Sequence, residues 1–264
     1  MTSVALTIAG SDPSGGAGIQ ADLKTFHQHG VYGMSVVTLL TVQNTRAVTA
    51  VDVLQPRFVL AQLDAVLADI PPVVAKTGAL GSAAVIEALS KRASSFGFPL
   101  VVDPVMVSKH GDALIDPDAA DVLMRKLLPH AFLVTPNMPE AAALAEMEVV
   151  DLEGMERAAA AIALRGVPHV LVKGGRLEGR TVDVLWSDGD LHRFASERID
   201  SQHTHGTGCV LSAAITARVA RGEELTSAIQ GAKAFVTAAI RSSPQLGGGR
   251  GPTNMHAEVS PGGT

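Results

Sequence analysis

Residues 4–26 read VALTIAGSDPSGGAGIQADLKTF, in which an apolar run leads through a glycine-rich turn into an amphipathic segment. The run at 4–9 predicts a buried strand, and residues 19–28 predict the helix that follows it. Further apolar runs of this kind lie at 36–42, 73–76, 100–102, 132–134 and 169–172. Between them lie helical patterns at 57–69, 83–96, 117–127 and 152–165. The repeated strand–helix–strand order predicts an α/β fold, with a mostly parallel central sheet and helices on both faces.

The last third of the chain departs from this order. Residues 181–199 contain two strand-like runs around Ser187-Asp188-Gly189-Asp190, which predicts a small hairpin at the sheet edge. Two helices are predicted after it, at 208–219 and 227–241. We expect residues 1–246 to form a single domain, because one α/β core commonly reaches this size. Residues 247–264 are rich in Gly and Pro, so we expect a partly loose tail.

Composition and charge exclude several classes of protein. The chain is 47% apolar and 18% charged, with a net charge of -5, so it lacks the basic excess that nucleic acid binding needs. Its first residues carry no basic leader, and no apolar stretch approaches the roughly 20 residues of a membrane span. We therefore expect a cytoplasmic protein without a membrane partner. Cys209 is the only cysteine, which excludes intrachain disulfides and zinc sites built on several thiolates.

The turn after the first predicted strand is a candidate ligand site. It holds four glycines within residues 10–18, more than a plain strand-to-helix turn needs, and glycine lets the backbone approach a ligand closely. Two familiar motifs are only partly matched. A dinucleotide motif at 16–21 lacks the later acidic residue, since Gln43-Asn44 stand there, and a P-loop would need Lys and Ser or Thr where Gly16-Ala17 stand. Neither a dehydrogenase nor a P-loop enzyme is predicted.

A second candidate site opens the helix predicted at 208–219. Its sequence is Thr204-His205-Gly206-Thr207-Gly208-Cys209. The free N–H groups and dipole of a helix start would stabilise the negative charge of a phosphoryl group in transfer. A cysteine in a first helical turn has a lowered thiol pKa, so Cys209 is a candidate acceptor for a hydroxyl proton. The alternative is that Cys209 is a small buried residue at an ordinary helix start.

Charged residues at other predicted strand ends suit phosphoryl transfer. Asp103 follows the run at 100–102 and is a candidate magnesium ligand, while Lys173 follows the run at 169–172 and offers a cation to a polyphosphate. Turn initiation at Asp103 and a solvated strand end at Lys173 are the structural alternatives. Asn137 and Glu140 have the spacing of a helix capping box, which is compatible with an indirect magnesium role for Glu140.

Taken together, these segments resemble the hydroxymethylpyrimidine/phosphomethylpyrimidine kinases over nearly the whole chain. The resemblance is carried by motifs in the family's order: residues 5–26, Val42-Gln43-Asn44-Thr45, Val102-Asp103-Pro104-Val105-Met106, Thr135-Pro136-Asn137, Val172-Lys173-Gly174-Gly175 and His205-Gly206-Thr207-Gly208-Cys209. It implies a ribokinase-like fold, ATP and Mg2+ as cofactors, and a homodimer. It also implies successive phosphorylation of 4-amino-5-hydroxymethyl-2-methylpyrimidine and its monophosphate in thiamin biosynthesis.

The resemblance further implies a role for each motif residue. Gln43 would hydrogen-bond the aminopyrimidine, an assignment that suits the donor and acceptor of an amide. Gly10, Asp22 and Val105 would line the substrate pocket, and Asp103 and Glu140 would bind magnesium. Lys173 and Thr204 would bind the ATP phosphates. The anion hole would be formed by Gly206, Thr207, Gly208 and Cys209. Residues 108–112 are expected to close over the substrate and exclude water.

Two other functions are compatible with the same residues. Pyridoxine or pyridoxal kinases of the cysteine type act on a similar flat heterocycle with a hydroxymethyl group, and one amide at Gln43 does not exclude such a substrate. A non-catalytic pyrimidine-binding protein on this scaffold is a further alternative, because fold does not fix function. Retention of Asp103, Lys173 and the 206–209 turn favours an enzyme.

Overall fold

The structure is a computed structural model that describes residues 2–106, 118–174 and 180–259. Its strands are β1 (Val4–Ser11), β2 (Tyr32–Gln43), β3 (Val48–Val53), β4 (Val74–Thr77), β5 (Leu100–Val102), β6 (Leu133–Val134), β7 (His169–Val172), β8 (Arg180–Ser187) and β9 (Asp190–Glu197). Its helices are α1 (Gly18–Gln28), α2 (Pro56–Asp69), α3 (Ala83–Ala93), α4 (Ala119–Val122), α5 (Met138–Ala145), α6 (Leu152–Ala163), α7 (Thr207–Ala220) and α8 (Leu225–Arg241). Helix α4 continues through a π-helical segment (Leu123–Leu127) into a 3-10 turn (Leu128–His130).

The described strands form one sheet in the order β3-β2-β1-β4-β5-β6-β7-β8-β9. Neighbours from β2 to β7 in this order run parallel, whereas β3, β8 and β9 are added antiparallel at the two edges. This arrangement confirms the predicted α/β fold and its hairpin at the sheet edge. The parallel strands therefore point their carboxyl ends toward the same edge of the sheet, where ligands bind in folds of this kind.

Apolar layers cover both faces of the sheet. Along β5, Leu100 and Val102 belong to one buried cluster and Val101 to another, because successive side chains of a strand point to opposite faces. The first cluster packs against α3, α5 and α6, and the second packs against α7 and α8. Burial on both faces explains why the central strands read as continuous apolar runs.

Two features differ from the sequence predictions. Strand β3 was not predicted, and its residues are mostly exposed because it covers the outer edge of β2. The described part of the tail is packed: the backbone N–H of Arg250 donates to the carbonyl of Thr45 at 2.8 Å, and Met255 and Ala257 join the cluster beside α7 and α8. The expectation of a loose tail is wrong for residues 247–259, since these apolar side chains supply the burial that its glycines lack.

Within the described residues, every helix is too short or too polar to span a bilayer.

Candidate active site

A cavity of about 1130 Å³ opens along the carboxyl ends of the parallel strands. It is lined by all twelve residues predicted from the sequence: Gly10, Asp22, Gln43, Asp103, Val105, Glu140, Lys173, Thr204, Gly206, Thr207, Gly208 and Cys209. Gln43 and Cys209 therefore open into the same space, although 166 residues separate them in the chain. The sheet brings them together because β2, which carries Gln43 at its end, lies beside β1 and the turn that faces α7.

Asp12 holds the glycine-rich turn in place. Its carboxylate accepts hydrogen bonds from the backbone N–H groups of Ser14, Gly16 and Ala17 at 2.8, 3.2 and 2.9 Å, and it contacts His205 Nε2 at 2.8 Å. Burial by itself would raise the pKa of Asp12, but the hydrogen bonds from His205 and Ser14 outweigh it and lower the pKa. No role was predicted for Asp12, although Asp before Pro-Ser is a common turn signal.

The start of α7 forms the other wall of the cavity. Gly206 precedes the helix with a φ of 78°, and in the described residues no side chain hydrogen-bonds to cap it. A Cβ at Gly206 would overlap the carbonyl oxygen of Gly16, so glycine lets the two turns touch. The start of α7 therefore lines the cavity without a side-chain cap, although the Thr207 N–H donates to the carbonyl of Thr204 at 3.4 Å, and an uncapped helix start suits an anion.

Cys209 lies in the first turn of α7, but its ionisation is opposite to the expected one. Burial, together with the carboxylates of Asp22 and Asp103, raises the pKa of its thiol to about 12, against a smaller lowering effect of Lys76. The predicted lowering of this pKa is therefore wrong, because burial outweighs the effect of the helix start. In the free protein Cys209 is a protonated thiol at neutral pH.

Asp103 and Lys173 form an ion pair that lines the cavity, with Asp103 buried and Lys173 partly exposed. Lys173 Nζ donates to Asp103 Oδ1 at 2.8 Å, and Ser212 of α7 donates to Oδ2 at 3.1 Å. Burial would raise the pKa of Asp103, but Lys173 and Lys76 outweigh it and lower the pKa. A Cβ at Gly208 would lie 3.4 Å from the Lys173 ammonium, so this cation sits beside the start of α7. A phosphate bound there would meet both a cation and the helix dipole.

Glu140 forms the predicted capping box at the start of α5. Asn137 Oδ1 accepts from the Glu140 backbone N–H at 2.9 Å, and Glu140 Oε2 accepts from the Asn137 N–H at 2.8 Å. Burial raises the pKa of Glu140 to about 7, although Lys173 acts in the opposite direction. A carboxylate that is costly to ionise in this place would be stabilised by a bound divalent cation.

The described residues contain no group of three or more His, Cys, Asp or Glu side chains arranged for a metal ion. Asp103 and Glu140 nevertheless provide two hard oxygen donors in one cavity, and the charge of Asp103 contributes to the raised pKa of Glu140. Mg2+ is commonly held by one or two carboxylates together with substrate phosphates and water. The donor set therefore fits magnesium that arrives with a polyphosphate.

A second buried ion pair lies beneath Cys209. Lys76 Nζ donates to Asp22 Oδ2 at 2.8 Å, and Thr7 donates to the same oxygen at 2.6 Å. Burial would lower the pKa of Lys76, but Asp22 and other nearby acidic groups outweigh it and raise the pKa. Asp22 was predicted from the resemblance, whereas no role was predicted for Lys76, although it ends the apolar run at 73–76. A lysine at the end of such a run, at the ligand edge of the sheet, was the available signal.

Gln43 is joined to the opposite wall through His205. Its amide nitrogen lies 3.3 Å from His205 Nε2, and its amide oxygen accepts a hydrogen bond from Thr41 Oγ1 at 3.1 Å. His205 and Thr41 were given no role from the sequence, since nothing in it shows that β2 and the turn before α7 meet. The predicted closing segment at 108–112 lies outside the described residues.

Residues 12–254 match the sequence profile of the family described as phosphomethylpyrimidine kinase. The chain belongs to the phosphomethylpyrimidine kinase family. Its members are kinases, so the chain is a phosphotransferase. The chain is 49% identical to the hydroxymethylpyrimidine/phosphomethylpyrimidine kinase of Rhizobium meliloti over 258 residues, which cover 96% of this chain and 97% of that protein.

Two further relatives are a bifunctional protein of thiamine biosynthesis and a pyridoxal kinase of known structure. This chain is 50% identical to the thiamine biosynthesis bifunctional protein ThiED of Geobacter sulfurreducens, and this match covers 94% of the chain but only 51% of that longer protein. The pyridoxal kinase of Staphylococcus aureus, solved in complex with AMP-PCP and pyridoxal, superimposes with a TM-score of 0.89 at 33% identity. That superposition covers 97% of this chain and 95% of the other, and it confirms the ribokinase-like fold.

Proposed function

We propose that this chain is an ATP-dependent kinase that phosphorylates 4-amino-5-hydroxymethyl-2-methylpyrimidine and then its monophosphate, as a step of thiamin biosynthesis. One observation carries the proposal: the amide of Gln43 and the anion-binding start of α7 line the same cavity. A small aromatic ring held by the amide would present its hydroxymethyl group to a phosphate held at Lys173. The family match and the names of the relatives support the same substrates.

The residues of the cavity would have different roles in phosphoryl transfer. Lys173, Thr204 and the N–H groups of residues 206–209 would hold the transferred phosphate and stabilise its charge. Magnesium bound with ATP would neutralise the polyphosphate, and Asp103 and Glu140 are the residues that would hold it. The AMP-PCP complex of the related pyridoxal kinase supports nucleotide use by this fold.

The proton of the substrate hydroxyl needs an acceptor, and Cys209 is our candidate. With a thiol pKa of about 12, Cys209 accepts this proton only if substrate and ATP lower that pKa when they bind. Lys76 already lowers the pKa of the Cys209 thiol, and the cation that accompanies ATP would lower it further. The catalytic role of Cys209 thus depends on the bound state.

A pyridoxal kinase is the second candidate, favoured by the close superposition on the Staphylococcus aureus enzyme. A hydroxymethyl group on a flat ring is common to both substrates, whereas the amino group beside a ring nitrogen is specific to the pyrimidine. A non-catalytic pyrimidine-binding protein is disfavoured by the ion pair of Asp103 and Lys173 at the anion site.

We also propose that the protein is a homodimer. The β2–β3 edge exposes Leu40, Val42 and Val51 by 46%, 62% and 38%, more apolar surface than a solvated edge needs. Sedimentation should give twice the 27.2 kDa mass of one chain.

A cytoplasmic location, where ATP is available, stays a prediction.

The substrate is tested by measuring ADP formation with the hydroxymethylpyrimidine, its monophosphate and pyridoxal as parallel acceptors. We expect turnover of both pyrimidines at kcat/KM values at least about tenfold above that of pyridoxal. Gln43→Leu should reduce this preference, whereas Gln55→Leu, at an exposed position before α2, should not. Faster turnover of pyridoxal would establish the second candidate, and failure to use any acceptor would refute the enzyme.

A further inference from the structure

His205 lies between the turn after β1 and the amide of Gln43. Its Nε2 is 2.8 Å from Asp12 Oδ2 and 3.3 Å from the Gln43 amide. Both His205 and Asp12 are buried, at 2% and 3% exposure. Gly16 lies against the imidazole ring, where a Cβ would not fit. The ring is therefore fixed in position between the two polar groups.

The contact with Asp12 decides where the imidazole carries its hydrogen. A carboxylate only accepts hydrogen bonds, so a lone pair on Nε2 at 2.8 Å from Oδ2 would be repelled. Nε2 therefore carries a hydrogen in both the neutral and the protonated imidazole. The lowered pKa of Asp12, which the hydrogen bond from His205 causes in part, agrees with this arrangement.

A hydrogen on Nε2 in turn decides the orientation of the Gln43 amide. In the structure the amide nitrogen of Gln43 lies toward His205 Nε2 at 3.3 Å and the amide oxygen lies toward Thr41 Oγ1 at 3.1 Å. The oxygen and nitrogen of an amide have nearly the same shape, however, so their assignment follows from the hydrogen bonds, and a hydrogen on Nε2 requires the reverse of this placement. Only the amide oxygen can face the N–H of His205 favourably. The amide nitrogen then faces Thr41 Oγ1, which has two possible acceptors for its one hydrogen in the structure, the carbonyl of Ser11 at 2.9 Å and the Gln43 amide at 3.1 Å. With the amide reversed, the Thr41 hydroxyl donates to Ser11 and accepts from the amide nitrogen.

We propose that His205 is a positioning residue that, through Asp12, fixes the Gln43 amide with its oxygen toward α7. One lone pair of that oxygen and one N–H remain for a ligand in the cavity. The inference rests on the proposed pyrimidine substrate and specifies how that ring is oriented.

The orientation of the amide determines where the reacting group of the ring points. In the substrate the 4-amino group donates and the adjacent N3 accepts, so the amino group pairs with the amide oxygen on the His205 side. The 5-hydroxymethyl group is next to the 4-amino group and therefore also lies on that side. Helix α7 begins at Thr207, two residues after His205. The reversed amide would turn the hydroxymethyl group away from the anion site.

A substrate with the reversed hydrogen-bond pattern tests this inference. The 4-oxo analogue, 5-hydroxymethyl-2-methylpyrimidin-4(3H)-one, accepts at C4 and donates at N3. We expect the wild-type enzyme to prefer the 4-amino compound in kcat/KM. In His205→Leu the amide is free to reverse, so this preference should narrow by about tenfold, the equivalent of one hydrogen bond. A merely structural defect would lower both kcat/KM values together and leave their ratio unchanged.

Matched variants separate the outcomes. His203→Leu changes a histidine that does not line the cavity, so it should keep the wild-type ratio. Thr41→Val removes the acceptor for the amide N–H and should narrow the ratio of kcat/KM between the 4-amino and 4-oxo compounds. Thr41→Ser keeps that acceptor and should preserve the ratio. These two variants test the inference if His205→Leu does not fold. An unchanged ratio in Thr41→Val and in folded His205→Leu overturns the inference while the proposed function stands. If wild-type protein does not phosphorylate the 4-amino compound, both are overturned.

Discussion

The ammonium group of Lys76 lies 2.8 Å from the carboxylate of Asp22, and neither side chain is exposed to solvent. The second carboxylate oxygen, Asp22 Oδ1, has no hydrogen-bond partner among the described residues. Both residues line the cavity next to Cys209. Burial raises the pKa of Asp22, although Lys76 and Thr7 act in the opposite direction, so the charged form of either partner alone would be strongly disfavoured at this place.

Removal of one partner of this pair should destabilise the protein. We expect Lys76→Met to lower the free energy of unfolding by about 3–5 kcal/mol, because it leaves a buried carboxylate without a cation. Asp22→Asn combined with Lys76→Met should recover part of this loss, as measured by urea unfolding. Lys91→Met, in the exposed pair with Glu87, is the control and should change stability by no more than about 0.5 kcal/mol. Equal stability of the single and double variants would contradict a coupled pair.

Glu140 should make stability depend on pH near neutrality. Its folded pKa of about 7 exceeds the usual 4.5, so the folded protein binds this proton more tightly than the unfolded chain. The resulting stabilisation is complete below pH 4.5 and is lost as the pH rises through 7. Glu140→Gln keeps an acceptor for the capping box but removes the titration.

Urea unfolding at about pH 5 and about pH 8 measures this effect. Relative to Glu140→Gln, the wild-type protein should lose on the order of 3 kcal/mol of stability between these values, at about 1.4 kcal/mol per pKa unit. A difference between the two proteins that does not vary with pH would show that Glu140 titrates normally.

The thiol of Cys209 should react slowly with iodoacetamide. With a pKa of about 12, its thiolate fraction rises about tenfold per pH unit, so the alkylation rate should rise without a plateau from about pH 7 to about pH 10. Asp22→Asn should speed the reaction, since the Asp22 carboxylate raises this pKa. Cys209→Ser, which removes the only cysteine, is the blank. A plateau below about pH 9 would mean that the thiolate forms readily in the free protein.

Gly206 should tolerate no side chain. Gly206→Ala would place its Cβ against the carbonyl of Gly16 and should abolish most activity, with a loss of stability above about 3 kcal/mol, as is usual for severe substitutions. Gly189 in the β8–β9 turn also has a positive φ. The space around it is open, because an added Cβ would have no atom within 4 Å apart from those of its chain neighbours. Gly189→Ala should therefore cost only about 1–2 kcal/mol. Similar losses in the two variants would show that the backbone angle matters and the contact does not.

The sequence predicted what depends on local pattern. Central strands such as β1 and β7 are buried on both faces, so their apolar runs identify them, and the polar residues at their ends mark the ligand edge. Strand β3 was missed because its six residues are mostly exposed and alternate weakly. The tail was misjudged because composition does not reveal where Met255 and Ala257 pack.

Site residues were predictable when a motif surrounds them and unpredictable when a long-range contact gives them a role. Asp103 and Lys173 each follow a recognisable strand, whereas the link from Asp12 through His205 to Gln43 joins three distant segments. The thiol pKa of Cys209 was predicted with the wrong sign for the same reason. Position in a helix is visible in the sequence, but the burial and the neighbouring carboxylates that dominate the pKa are not.

The cavity of about 1130 Å³ is continuous from Gln43 to Lys173, and its volume exceeds that of one small heterocycle several times over. Acceptor and nucleotide can therefore occupy it simultaneously, and the phosphoryl group needs no temporary attachment to a side chain on its way between them. Initial-velocity lines at varied concentrations of both reactants should then intersect rather than run parallel, and labelled ADP should not exchange into ATP when the acceptor is left out.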